Sequence, residues 1–112
     1  MSRATPTPAL HPVVMAPPDA LPRIVAVHIT SRIVHAGDTV SGIVETSSNV
    51  ASVEARIATF SIGVPKVAVG RFELRYVVPN VPFFLHGTYA MTLIARNTAG
   101  RQTRRVIPIT VQ

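Results

Sequence analysis

Between Arg71 and Tyr76 the chain alternates residue by residue: Phe72, Leu74 and Tyr76 are apolar, and Arg71, Glu73 and Arg75 between them are charged. A period of two puts the two sets on opposite faces of an extended strand, one toward a core and one toward water. The same beat recurs along the chain. Val25, Val27 and Ile29 alternate with Ile24, Ala26 and His28, and Val40, Gly42 and Val44 with Thr39, Ser41 and Glu45. Val53, Ala55 and Ile57 alternate with Ser52, Glu54 and Arg56, and Tyr89, Met91, Leu93 and Ala95 with Ala90, Thr92 and Ile94. No stretch sustains a 3.6-residue period, and no internal repeat is visible. Val, Ile and Thr supply 37 of the 112 residues. Such β-branched side chains lose rotamer freedom in helices and pack well on pleated sheets.

Turn signals separate these segments: Ala36-Gly37-Asp38, Ser47-Ser48-Asn49, Gly70, the crossover Pro79-Asn80-Val81-Pro82, and Asn97-Thr98-Ala99-Gly100. Phe60–Val69 is broken by Gly63 and Pro65 and reads as one short edge strand. The last strand, about Thr103 to Val111, points Ile107, Ile109 and Val111 inward, and Pro108 makes it an edge or bulged strand. The expectation is an all-β, two-sheet antiparallel Greek-key sandwich of seven or eight strands over residues 22–112. Residues 1–21 form an extended, Pro-rich N-terminal arm or linker. Six of the ten prolines lie in the first 22 residues, with no glycine among them. Pro12, Pro17 and Pro18 interrupt the arm's apolar stretch, which argues against a signal peptide.

The absence of cysteine excludes a disulfide scaffold, a cysteine–zinc site and a thiol nucleophile. No run approaches the roughly 20 apolar residues of a membrane-spanning helix. The net charge of +6 lies wholly in residues 57–112, where seven basic residues face Glu73 alone. Arg96, Arg101, Arg104 and Arg105 bracket the final hairpin and form a candidate anion-contact face. Lys66, Arg71 and Arg75 add to that half. Phe83-Phe84-Leu85 cannot all face inward on one strand, so Phe83 and Phe84 either plug the end of the core or form a contact surface.

No nucleotide-binding or nucleophile-elbow motif is present. His11, His28, His35 and His86 are scattered singly, without metal-ligand spacing, and His35 with Asp38 reads as a turn hydrogen bond. Glu45, Glu54 and Glu73 fall on polar strand faces, better placed to pair with Arg56, Arg71 or Arg75 than to act as a catalytic couple. No catalytic, cofactor-binding or metal-binding residue is assigned, and no cofactor is expected.

Leu85-His86-Gly87-Thr88-Tyr89-Ala90-Met91 resembles the tyrosine corner of immunoglobulin-like domains, with Met91 where antibody domains carry cysteine. Ala95–Arg101 is similar to the last hairpin of bacterial immunoglobulin-like and fibronectin III-like modules, and Ala36–Gly42 to the start of their second strand. The resemblance spans about residues 22–112 and implies the disulfide-free group, since Trp and the Cys pair are missing. It implies a non-enzymatic module, a spacer, display or assembly unit of a bacterial surface or secreted protein, and hence an extracellular or cell-surface location. Its partners would be neighbouring domains or further copies of the chain. Two alternatives stand beside it: a polyanion-binding module using the basic hairpin, facing an acidic polymer, and an accessory domain of a larger secreted enzyme. Nucleic acid is disfavoured, because aromatic residues are 5% of the chain and the alternating ones point inward.

Overall fold

The computed structural model describes residues 10–80 and 85–112. Among them are nine strands: β1 (Ile24–Ile29), β2 (Ile33–Val34), β3 (Thr39–Thr46), β4 (Ser52–Ile57), β5 (Phe60–Val64), β6 (Lys66–Ala68), β7 (Arg71–Val77), β8 (Gly87–Arg96) and β9 (Gln102–Val111). They form two sheets, β1-β3-β7-β6 and β2-β9-β8-β4-β5. All pairings between named strands are antiparallel except β2 with β9. The two-sheet sandwich read from the alternation is thus the fold. The strands beyond seven are short pieces, β2 of two residues and β6 of three.

The sheets face each other across a core built from the alternating sets. On one side Val44 lies opposite Phe72 in register, and on the other Ala55 lies opposite Leu93. Phe72 is fully buried, and Leu93, Val53, Ile107 and Ile109 surround the same core. Burying a side chain of this size stabilises the fold by roughly 2–3 kcal/mol relative to leaving it wet.

Two local features depart from the simple alternation. The register of β1 against β3 slips between Ile24 and Ala26. This bulge lets Ile24 join Val27 and Ile29 at the core, where strict alternation would have placed Val25. The stretch Phe60–Val69 is two edge strands instead of one: β5 pairs with β4, and β6 pairs with β7 in the other sheet. Pro65, lacking an amide hydrogen, stands where the chain crosses between sheets. Pro108 sits opposite Ala90 on β8, and β2 flanks β9 only at Thr110 and Val111, so among the described residues no strand lies beside Pro108 on its other side.

Residues 10–22 run against the pole of the sandwich that carries the β3–β4 and β8–β9 connections. Val14 bridges Ser47 in parallel fashion, and the Ser48 amide donates to the Val14 carbonyl at 2.8 Å. The Ala16 amide donates to Ser48 Oγ at 2.8 Å. After a turn at Pro17–Ala20, the Ala20 carbonyl accepts from two side-chain amides, Asn49 Nδ2 at 2.7 Å and Asn97 Nδ2 at 2.8 Å. Gly70, at φ +71°, receives this segment: a Cβ there would stand 2.7 Å from the Thr46 carbonyl oxygen and 2.8 Å from Val13 Cγ1.

Candidate functional site

The β8–β9 hairpin distributes its four arginines over different surfaces. Arg96 and Arg104 share the outer face of the β2-β9-β8-β4-β5 sheet, because Arg96 pairs with Gln102 and Ile94 with Arg104. Arg96 is matched there by Glu54, its Nη1 donating to Oε1 at 2.7 Å. Arg104 is exposed and forms no ion pair among the described residues. Arg101 lies at the hairpin turn. Its amide donates to Asn97 Oδ1 at 2.9 Å and its guanidinium to the Asp19 carbonyl at 3.4 Å. Arg105 has the parity of Ile107 and Ile109 and points to the rim between the sheets, where Nη2 donates to the Ile24 carbonyl at 2.9 Å.

Glu54 is the hub of the outer face. Besides Arg96 it accepts from Arg56, Nη2 at 2.9 Å and Nε at 3.2 Å, and from the Ser61 hydroxyl. The Ser61 hydrogen bond, followed by those of Arg96 and Arg56, lowers its pKa to about 2. Of the pairings expected for the three glutamates, Glu54 with Arg56 is formed. Glu73 makes no ion pair among the described residues, and Arg71 donates instead to the His11 carbonyl at 3.3 Å.

Glu45 is placed differently from the sequence expectation. It does lie on the face of β3 opposite Val44, but that face is not open to water here, and Glu45 is only 4% exposed. Segment 10–14 covers it. Glu45 Oε1 accepts from the His11 amide at 2.6 Å, and Oε2 meets His11 Nδ1 at 3.1 Å and His28 Nε2 at 2.7 Å. Burial pulls the carboxyl pKa upward, but the hydrogen bonds from His28 and His11 outweigh it and hold it at about 2. The sequence offered one clue, a histidine on the outer face of β1 diagonal to the glutamate. Nothing local marks His11 as the third member.

His35 and Asp38 form the turn contact expected of them, the His35 amide donating to Asp38 Oδ2 at 2.8 Å. Tyr89 donates its hydroxyl to the Leu85 carbonyl, the tyrosine-corner bond implied by the resemblance. Phe83 and Phe84 lie outside the described residues. The described side chains line a half-open cleft of about 360 Å³ between the sheets, walled by apolar residues including Val40, Ile57, Tyr76, Met91 and Pro79. Such walls suit only apolar matter. Among the described residues no group of three His, Asp or Glu side chains is arranged to hold a metal ion. No helix among them is long and apolar enough to cross a membrane.

No family model matches the chain, and no curated protein matches it in sequence. Solved structures do resemble it. One is a DUF4785 family protein of Legionella pneumophila, at TM-score 0.56 and 16% identity over 75% of this chain; the match spans 26% of that protein, about a quarter of its length. Another is the fibronectin(III)-like modules of Clostridium thermocellum CbhA, at TM-score 0.51 and 22% identity, covering 77% of this chain and 94% of that one. With its sheet order and its tyrosine corner, the chain is a cysteine-free β-sandwich with an immunoglobulin- and fibronectin III-like fold.

Proposed function

We propose that this sandwich is a non-catalytic structural and interaction module, joined through its Pro-rich segment to neighbouring domains or to further copies of itself. The supporting observation is the state of the two carboxylates that carry the most hydrogen bonds among the described residues. Glu45 and Glu54 are each held near 2 by hydrogen bonds. A general acid working near neutrality needs a carboxyl pushed upward. Both groups are instead held as anions at neutral pH and tie elements together. The module reading agrees with the likeness to the fibronectin(III)-like modules of Clostridium thermocellum CbhA, and its proposed setting is a surface or secreted protein. An accessory unit of a larger enzyme is the same role in another chain.

Phe83 and Phe84 are the proposed contact residues. The test is the double variant Phe83→Ser, Phe84→Ser, followed by sedimentation across a concentration series and by urea unfolding. A contact surface predicts weaker association with little change in the unfolding midpoint. A large loss of stability with unchanged association makes the pair a core plug and overturns the contact role.

A second reading, contact with a polyanion, rests on Arg104 and Arg101. Both are exposed at the hairpin, and neither is matched by a carboxylate among the described residues.

A further inference from the structure

The segment from Leu10 to Ala20 is fastened by polar contacts more than by apolar burial. Leu10, Val13 and Val14 are half-buried, and Met15 is 78% exposed. A segment that buries so little apolar surface belongs to the weakly held end of a fold's local stabilities. Its polar fastening is concentrated at Glu45, which receives the His11 amide and ring from the segment and the His28 ring from β1. The other charged groups on this face come from β7. Arg71 is the register partner of Glu45 and donates to the His11 carbonyl, and Glu73 follows two residues along. On β6, Lys66 turns away to the Val50 carbonyl at 3.3 Å.

We propose that residues 11–20 are a latch, closed on the sandwich while Glu45 is ionised and opening in acid with both sheets still folded. The physical cause is the loss of charge-assisted acceptance. An ionised carboxylate accepts from all three donors at once, and such bonds are roughly twice as strong as neutral ones. A protonated carboxyl becomes a donor at one oxygen and cannot keep the set. The sign follows from the depressed carboxyl. The contribution is complete above the free value of 4.5 and disappears as the pH falls toward about 2. The sheets rest chiefly on Phe72, Leu93 and their apolar neighbours, none of which titrates in this range, and Glu54 on the outer face is their own acid-sensitive tie.

Amide hydrogen exchange on the full chain, expressed as protection factors, reads the latch directly. The Ala16 and Ser48 amides are occupied only when it is closed. Between pH 5 and pH 2.5 their protection should fall several-fold, less than the whole carboxyl shift allows because His28 keeps its bond to Glu45 when the latch is open, while in Glu54→Gln, which lacks the outer-face acid dependence, the amides of Val44, Phe72 and Leu93 keep theirs. His11→Ala, which leaves Glu45 with His28, should lower protection of Ser48 several-fold at neutral pH without touching the sheets. Ala16 and Ser48 staying protected at pH 2.5, losing protection together with the sheets, or behaving in His11→Ala as in the parent chain would each overturn the latch.

Discussion

The guanidinium of Arg105 donates to the main-chain carbonyl of Ile24 at 2.9 Å, across the rim between the two sheets. The contact ties β9 to β1, next to the Thr103 hydroxyl that donates to the Pro22 carbonyl. A hydrogen bond from a charged donor to a part-buried carbonyl is worth about 1–2 kcal/mol. Arg105→Ala should therefore lower the unfolding free energy by about that amount, seen as a shifted urea midpoint at unchanged slope.

The hairpin arginines should separate in polyanion binding. On heparin, the double variant Arg101→Ser, Arg104→Ser should flatten the dependence of log affinity on log salt by about two. Arg105→Ser should flatten that slope less, because its guanidinium is held at the rim by the Ile24 carbonyl at 2.9 Å, a closer contact than the 3.4 Å of Arg101 to Asp19. An equal flattening by Arg105→Ser would show that the rim arginine is free to meet the polymer.

Asn97 joins three segments. Its Nδ2 reaches Ala20 on the N-terminal segment, and its Oδ1 accepts the Arg101 amide that closes the hairpin turn. At 6% exposure, Asn97→Ala removes both bonds in a place water reaches poorly. A loss of about 2 kcal/mol in urea unfolding is expected. Asn49→Ala should cost less, because that side chain is only half-buried and water can replace its bonds to Ala20 and Ser47.

The outer-face hub gives a pH dependence of its own. With its pKa lowered from 4.5 to about 2, Glu54 stabilises the fold above 4.5, and that share is lost as the pH falls toward 2. Glu54→Gln should remove this portion of the acid decline, measured as the urea midpoint against pH. It also releases Arg56 and Arg96 from their shared anion, so the variant should be retained longer on heparin.

The strands were legible because their signal is local. Phe72, Leu74 and Tyr76 announce their face within six residues, and the parity of β8 and β9 about the Asn97–Gly100 turn sets the facing of every residue on that hairpin. The same parity separates Arg105 from Arg104, although proximity to the turn suggested one cluster. The bulge in β1 was hidden because Ile24, Val25, Ala26 and Val27 are all apolar, leaving nothing in the pattern to mark the slip. The alternation places Glu45 on its face, but the segment that buries it comes from 34 residues upstream. A proline-rich stretch carries no period that points to a seat. Likewise Phe60–Val69 shows a break at Pro65 without showing that the chain changes sheets there.

Glu45 and Glu54 act as structural anions of this sandwich, and side-chain carboxyl NMR titration of the two measures this directly. Both resonances should titrate near 2, well below an ordinary glutamate. A midpoint above about 5 for either one would mark a carboxyl poised to give up a proton near neutrality, and would contradict the non-catalytic assignment.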